Sequence, residues 1–200
     1  MKTMLSSPVC IGVTGGIGSG KSFVCKLLEE RGLSVFYCDD EAKAEMRENS
    51  AIHRELVDLI GPSVIDADGR LVKAVLSDYI CADVANAARV NAIVHPRVRD
   101  RFVRWKENKG AERVVVMECA LMFEAGFDAL CDKTVMVDAP LEVRIERICR
   151  RDGIDRSHAL EWIGLQMSRE EKLRRSDHVI VNDGISDLSI QINRIFKTII

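Results

Sequence analysis

A glycine-rich stretch near the start of the chain carries the residue types and the spacing of a phosphate-binding loop. Gly15, Gly20, Lys21 and Ser22 follow the pattern G-x-x-x-x-G-K-S. Glycine lets successive backbone N–H groups converge on one anion, because side chains there would block the approach. Lys21 adds a positive charge for the β- and γ-phosphates, and Ser22 adds a hydroxyl that can bind Mg²⁺. The pattern therefore predicts a site for a nucleoside triphosphate with Mg²⁺.

The residues on either side of this loop favour the same interpretation. Val9, Ile11 and Val13 predict a strand that ends at the loop. Residues 21–31 predict a helix after it, closed by Gly32 and pointing its positive end at the phosphates. A turn that merely joins strand to helix would not need four glycines, a lysine and a hydroxyl together. The expected nucleotide-binding residues are Gly16, Ile17, Gly18, Ser19, Gly20, Lys21, Ser22 and Phe23.

The rest of the chain alternates strands with helices, which predicts a parallel sheet. Further strands are expected at residues 33–38, 113–117, 133–138 and 177–181, and a closing helix at 185–199. The block between the second and third strands is mainly helical, with helices expected at 41–49, 51–60 and 82–106. Because this block is too long for a simple crossover, we expect a substrate-binding insertion. The predicted fold is α/β, with about five parallel strands in an α/β/α arrangement.

Charged side chains follow the second predicted strand and recur in the insertion. Asp39 and Asp40 lie where parallel sheets bind ligands, although either could instead cap the helix that follows. His95 and Arg99 lie in H-P-R-V-R, where Pro96 interrupts the helical pattern. A lone histidine is more often a structural hydrogen-bonding group, and surface arginines are usually solvated. A ligand-binding role and a structural role therefore both stay open for this pair.

Residues 141–175 are rich in arginine. Arg144, Arg147 and Arg151 have the spacing i, i+3 and i+7, so a helix would present all three on one face. They could form ion pairs on a surface helix. They could instead belong to a mobile lid that brings guanidinium groups to a transferring phosphoryl group. The residues by themselves favour neither interpretation.

Composition narrows the class of protein. The 200 residues are 47% hydrophobic and 30% charged, as in soluble globular proteins. A net charge of −2 gives no reason to expect a nucleic-acid partner. The seven cysteines include no C-x-x-C pair or zinc spacing, so we expect reduced thiols. Residues 1–8 are too short and polar for a signal peptide, and no apolar run could span a membrane, so a cytoplasmic protein is expected. We also expect a monomer or a weak homo-oligomer.

A phosphate-binding loop does not by itself specify a reaction. A regulatory GTPase would need an N-K-x-D element after a late strand, and Asn182-Asp183-Gly184 does not supply it. A motor or helicase would need partner modules for which 200 residues leave little room. A small-molecule kinase needs the loop, an acid near the acceptor hydroxyl, an acceptor-binding insertion and an arginine lid. Each of these has a candidate in this chain.

In order and spacing, the motifs resemble those of dephospho-coenzyme A kinases along nearly the whole chain. They are V-T-G-G-I-G-S-G-K-S, the acid after the second strand, H-P-R-V-R, A-L-M-F-E, R-I-E-R-I-C-R-R-D-G, Q-M-S-R-E-E-K and V-N-D-G. The resemblance implies a P-loop NTPase fold and Mg-ATP-dependent phosphorylation of the ribose 3′-hydroxyl of dephospho-CoA, the last step of coenzyme A biosynthesis. The alternatives are a P-loop kinase for another nucleoside, nucleotide or small alcohol, and a non-enzymatic nucleotide-gated interaction protein.

The resemblance also implies roles for individual residues. Asp39 would orient the acceptor hydroxyl and receive its proton, with Asp40 as the second candidate for this role. The lid arginines Arg147 and Arg151 would stabilise the transferring phosphoryl group. His95 and Arg99 would help Asp39 to hold the acceptor. Lys21 would act in catalysis through its charge at the β- and γ-phosphates, and Ser22 would bind the metal ion.

The same resemblance divides the chain and exposes three departures from the family pattern. It implies a nucleotide-binding core at residues 1–40, 110–140 and 176–200, an acceptor-binding insertion at 41–109 and a lid at 141–175. The family's D-A-D reads Tyr37-Cys38-Asp39 here, so only the second acid is kept. Ala120 replaces the proline of P-L-L-F-E, and Phe23 replaces a frequent threonine.

Overall fold

The computed structural model describes residues 7–199. Residues 1–6, most of the segment that is too short and polar for a signal peptide, lie outside the described residues, as does Ile200. The described chain contains a sheet of five parallel strands in the order β2-β3-β1-β4-β5. The predicted parallel sheet is thus confirmed. Its strands are β1 (Val9–Thr14), β2 (Ser34–Tyr37), β3 (Val114–Glu118), β4 (Lys133–Asp138) and β5 (His178–Val181).

The strand order places β1 at the centre of the sheet. Ile11 is in register with Val116 of β3 on one side and with Lys133 of β4 on the other. Strands buried on both faces need apolar side chains throughout, which explains the runs V-C-I-G-V and V-V-V-M. The loop after β1 consequently leaves from the middle of the carboxyl edge, where ligands of parallel sheets bind.

Both faces of the sheet are covered. On one face, Ile11 and Val13 pack in a cluster with Leu28 of α1 (Lys21–Glu29) and Ile192 of α9 (Leu188–Ile199). On the other face, Gly12 leaves room for Met122 and Cys131, whose sulfur atoms would each lie 2.7 Å from an added Cβ. Helix α8 (Arg169–Arg175) packs on this second face against β4. The α/β/α layering expected from the sequence is therefore present.

Two further helices precede α8 in the arginine-rich segment, α6 (Leu141–Asp152) and α7 (Arg156–Gly164). Gly153 ends α6 with a φ of +68°, a left-handed conformation that favours glycine. The side chains of Asp155 and Ser168 cap α7 and α8 by accepting hydrogen bonds from the backbone N–H groups of His158 and Glu171. Local sequence thus sets each break between these helices.

The described chain forms two compact units, one of residues 7–37 with 108–199 and one of Cys38–Glu107. The second unit is helical, as the insertion was predicted to be. It holds α2, α3, α4 and all but the last residue of α5, together with a short 3₁₀ helix at Pro62–Val64. The first unit contains another short 3₁₀ helix, at Phe127–Leu130. The bounds are α2 (Cys38–Glu48), α3 (Ser50–Ile60), α4 (Lys73–Ala82) and α5 (Val84–Asn108).

Two details of this helical unit differ from the sequence prediction. Helix α2 begins at Cys38, so Asp39 and Asp40 lie in its first turn, and neither caps a helix that begins at Glu41. Carboxylates in this position interact favourably with the positive end of the helix dipole. Helix α4 was not predicted, because its buried hydrophobic side is narrow and consists of Leu76. Helix α5 continues through Pro96, in agreement with the long helix expected at 82–106.

Packing keeps α5 continuous despite its proline. Val90, Val94, Val98 and Phe102 recur every fourth residue and are buried along one side of the helix. Proline lacks the N–H that would bond to the carbonyl four residues earlier. Next to this gap, the Arg97 guanidinium donates to the carbonyl oxygen of Ile93 at 2.7 Å. The buried apolar stripe therefore decides the conformation over the local preference of proline.

A search of residues 7–199 for a helix with the length and apolar character needed to cross a bilayer finds none.

Replacing Leu28 by alanine should lower the free energy of unfolding by about 2–5 kcal/mol, because its side chain is fully buried between α1 and the sheet. The matched control is Leu160→Ala on α7, where the leucine is 40% exposed. We expect the control to change the same quantity by about 0.5 kcal/mol. Chemical denaturation of both variants measures the difference, and equal losses would contradict the assignment of the core.

Candidate active site

The loop between β1 and α1 presents a row of unpaired backbone donors. Within residues 7–199, the N–H groups of Gly18, Gly20, Lys21 and Ser22 donate no hydrogen bond to the protein. Gly18 and Gly20 have φ values of +78° and +92°, which side chains resist. An added Cβ at Gly18 would lie 2.7 Å from the carbonyl oxygen of Arg144, and one at Gly20 would overlap the Asn182 amide. The loop and the first turn of α1 therefore form an anion-binding nest.

Side chains from other elements hold the carbonyl groups on the opposite side of this loop. Arg144 Nε donates to the carbonyl oxygen of Ile17 at 2.9 Å. The Nδ2 of Asn182, just after β5, donates to that of Ser19 at 2.8 Å. Arg147 Nη1 reaches the carbonyl oxygens of Gly18 at 3.4 Å and Ser19 at 3.3 Å. Since C=O and N–H point in opposite directions across a trans peptide, these contacts direct the N–H groups of Gly18 and Gly20 into the nest.

Lys21 is paired with an acid that the sequence did not mark as a site residue. Its Nζ lies 3.6 Å from Oε1 of Glu118, and the two side chains are 11% and 6% exposed. Glu118 ends β3 and is in register with Val13, one residue before the end of β1. The available signal was an acid at the end of a buried strand. The pairing keeps the ammonium group beside the loop with its charge compensated.

The loop contains hydroxyl groups suited to an oxygen-rich ligand. Ser22 is exposed in the first turn of α1. The hydroxyls of Thr14 and Ser19 are buried and make no hydrogen bond within residues 7–199. In the same part of the chain, no group of three or more acidic, histidine or cysteine side chains could hold a metal alone. A magnesium ion here would therefore need phosphate oxygens as ligands besides Ser22, which is its usual coordination in nucleotide sites.

The three arginines predicted to share a face of α6 divide into two kinds. Arg144, only 7% exposed, and Arg147 contact the loop as described above. Arg151 is exposed and pairs with its neighbour Asp152 at 2.7 Å. Burial lowers the pKa of the Arg144 guanidinium and nearby Arg169 lowers it further, against the opposing effect of Asp138. In this structure, Arg147 is at the loop and Arg151 is on the surface.

A short segment after α7 contacts the loop and the chain at the ends of β3 and β4. Gln166 Oε1 accepts a hydrogen bond from the backbone N–H of Ile17 at 2.7 Å. Arg169 forms two hydrogen bonds to the buried carboxylate of Asp138, at 2.8 and 2.6 Å. Lys172, 1% exposed, donates to the carbonyl oxygen of Ala120 at 2.8 Å. A cavity of about 490 Å³ lies between this segment and the loop; its lining includes Gly16, Arg144, Ile163, Met167, Arg169 and Lys172.

Lys172 is held by charge as well as by burial. Its Nζ lies 3.0 Å from Oε1 of Glu124, and the same oxygen accepts from the backbone N–H of Met167. Burial lowers the pKa of the Lys172 ammonium, while Glu124 acts in the opposite direction. The motifs A-L-M-F-E and Q-M-S-R-E-E-K are therefore two halves of one network.

The predicted acceptor residues lie in the helical unit. Asp39 is exposed in the first turn of α2, and His95 and Arg99 are half-buried on α5. Burial and the charge of Arg99 lower the pKa of His95, and Asp39 raises it. These three side chains are thus close enough to interact electrostatically, and His95 is neutral at neutral pH.

A groove of about 880 Å³ begins one helical turn from Asp39, at Lys43. Its floor is apolar, and its rim carries positive charge. The apolar members are Met46, Leu71, Leu76 and Ile80, and the cationic members are Lys43, Arg47, Arg70 and Lys73. Such a lining suits a long ligand that combines an apolar arm with negative charge.

Known proteins match this chain over most of its length. The family described as dephospho-CoA kinase matches residues 9–187. A dephospho-CoA kinase from Bacteroides fragilis is 44% identical over 182 residues, or 91% of this chain and 88% of the relative. The solved structure of TT1252 from Thermus thermophilus is 34% identical and covers 97% of both chains with a TM-score of 0.79.

A dephospho-CoA kinase structure from Campylobacter jejuni has the same fold, at 21% identity, with a TM-score of 0.67 over 95% of this chain and 94% of that one. The matched residues of this chain include the phosphate-binding loop, the strands β3 and β4 that end in Glu118 and Asp138, and the whole arginine-rich segment. On this evidence, the chain belongs to the dephospho-CoA kinase family.

Proposed function

We propose that this protein transfers the γ-phosphoryl group of ATP to the ribose 3′-hydroxyl of dephospho-CoA, giving CoA and ADP. The observation that carries the proposal is the set of free N–H groups at Gly18, Gly20, Lys21 and Ser22 beside the Lys21 ammonium. Family membership supplies the acceptor. A kinase for another nucleoside, nucleotide or small alcohol would share the ATP site and differ in its acceptor.

The loop binds the β- and γ-phosphates through its backbone donors and Lys21. On binding, phosphate oxygens join Glu118 as partners of the ammonium group, so that the buried charge of Lys21 stays compensated. Ser22 would supply its hydroxyl as a ligand of Mg²⁺, and the bound ion would neutralise charge on the phosphate oxygens. The pocket thus holds the phosphoryl donor in one orientation.

Asp39 orients the acceptor and receives its proton. The bond from O3′ to the γ-phosphorus forms, the bond from that phosphorus to the β–γ bridging oxygen breaks, and the hydroxyl proton passes to the Asp39 carboxylate. Arg99 binds acceptor phosphate, and neutral His95 donates or accepts a hydrogen bond. Arg147 and Arg151 are our candidates for neutralising the transferring phosphoryl group, with Arg147 already at the loop.

We place the reaction in the cytoplasm and the enzyme in a monomeric or weakly self-associating state. All seven cysteines are free thiols, as in proteins of a reducing compartment. The acceptor-binding role of the helical insertion and the lid role of residues 141–175 are parts of the same proposal.

Replacing Gly18 by alanine should weaken ATP binding about tenfold or more, because alanine resists the positive φ and its Cβ meets the Arg144 carbonyl. Calorimetric titration with Mg-ATP measures the effect. Gly153→Ala is the matched control, since Gly153 has a φ of +68° with open space around its Cβ position. Equal ATP affinities for the two variants would contradict the nest.

Replacing Asp39 by asparagine should lower kcat by about 10²–10⁴ with dephospho-CoA, because the acceptor loses its proton acceptor. The affinity for ATP should stay close to that of the original protein. Steady-state kinetics of CoA formation tests this, with Asp40→Asn from the same helical turn as control. A kcat for Asp39→Asn within a few-fold of the unmodified enzyme would remove Asp39 from this role.

Charge reversal of Lys73 should raise the KM for dephospho-CoA about tenfold and leave the KM for ATP unchanged, if the groove holds the acceptor's anionic arm. Lys73→Glu is compared with Lys197→Glu in the last turn of α9. Initial rates with each substrate varied in turn provide both constants. An unchanged KM for dephospho-CoA would exclude this groove as the acceptor site.

A further inference from the structure

We propose that Gln166 is a positioning residue for phosphoryl transfer, which holds the peptide group before Ile17 so that the following N–H groups face the triphosphate. The proposal rests on the proposed function, because it assumes that the loop binds a nucleoside triphosphate. It adds a residue that none of the roles described above includes. It also connects the arginine-rich segment to the loop through a neutral contact.

The contact divides the loop's donors into two groups. The Ile17 N–H donates to Gln166 Oε1 at 2.7 Å, although the two residues are 149 positions apart. The N–H groups of Gly18, Gly20, Lys21 and Ser22 have no protein acceptor within residues 7–199. The N–H groups of Ile17 and Ser19 are therefore committed to the protein, the latter to the carbonyl oxygen of Gly16 at 3.0 Å, and the other four stay available for phosphate oxygens.

Ile17 is held on both sides of its backbone. Gln166 accepts from its N–H, and Arg144 Nε donates to its carbonyl oxygen at 2.9 Å. Its side chain packs against the small apolar cluster that contains Ile148 and Ala159 of α6 and α7. These contacts together set the plane of the peptide whose N–H belongs to Gly18. Without Gln166, only the carbonyl side of Ile17 would keep its hydrogen bond.

Gln166 is itself firmly placed. The next residue, Met167, donates its N–H to Glu124 at 3.0 Å, and Arg169 pairs twice with Asp138. The amide oxygen must face Ile17, because only the oxygen can accept from an N–H. A group held in this way transmits its position to the loop with little entropic cost on nucleotide binding.

Two other roles for the same contact make different predictions. If the amide only stabilises α7, its loss lowers the melting temperature and leaves ATP affinity and kcat unchanged. If the amide occupies a donor that ATP must recover, its loss tightens ATP binding. A positioning role predicts weaker ATP binding and a lower kcat, with the KM for dephospho-CoA unaffected.

The test compares Gln166→Leu with Gln191→Leu. Gln191 also accepts a hydrogen bond from a backbone N–H, that of Val181 at 2.8 Å, but on α9. We expect Gln166→Leu to lower kcat/KM for ATP about tenfold to a hundredfold, and Gln191→Leu to leave it within twofold. Gln166→Asn, whose amide is one methylene too short to reach Ile17, should behave as Gln166→Leu does and serves if the leucine variant does not fold.

Calorimetric binding of Mg-ATP to each variant is measured beside the kinetics and the melting temperature. Weaker ATP binding in both Gln166 variants, with normal binding in Gln191→Leu, supports the proposal. Unchanged or tighter ATP binding in the Gln166 variants overturns it, as does an equal loss in Gln191→Leu. If the unmodified protein binds ATP but does not phosphorylate dephospho-CoA, the proposed acceptor fails while the binding comparison still decides the role of Gln166.

Discussion

The site depends on the orientation of a few peptide groups in the loop after β1. A peptide plane carries its C=O and N–H on opposite sides, so a loop can turn its donors inward only if its carbonyl groups find partners outside. Arg144, Arg147 and Asn182 supply these partners from two elements distant in sequence. The glycines permit the conformation, and the side-chain donors select it. The phosphate-binding loop is thus held by hydrogen bonds to its carbonyl groups, on the side away from its N–H donors.

The second constraint is the positive charge gathered at this place. Lys21, Arg144 and Arg147 approach the same few residues of the loop, and such charges are costly to bury unless they are compensated. Glu118 compensates Lys21, while Asp138 offsets the lowering of the Arg144 pKa and pairs with Arg169. Carboxylates at the ends of β3 and β4 therefore compensate the cations that gather at the loop.

The parallel sheet brings these groups together. Glu118 ends β3, Asp138 ends β4 and Asn182 follows β5, so all three lie at the carboxyl edge from which the central loop leaves. The strands and the loop could be predicted because alternation and glycine spacing are local signals. Glu118 could be noted as an acid after a strand, but its pairing with Lys21 depends on β3 lying next to β1.

Sequence alone determined the loop, the parallel strands, the helical insertion and the family, because each is written in residue type and short spacing. Only the tertiary structure decided that Arg147 lies at the loop and Arg151 on the surface. Helical periodicity predicts that the two side chains share a face of α6, but it does not predict which part of that face contacts the loop. The tertiary structure also decided the partner of Gln166, because a hydrogen bond across 149 positions is set by how α7 packs. Helix α5 passes through Pro96 for the same kind of reason: burial of a continuous apolar stripe outweighs one local preference.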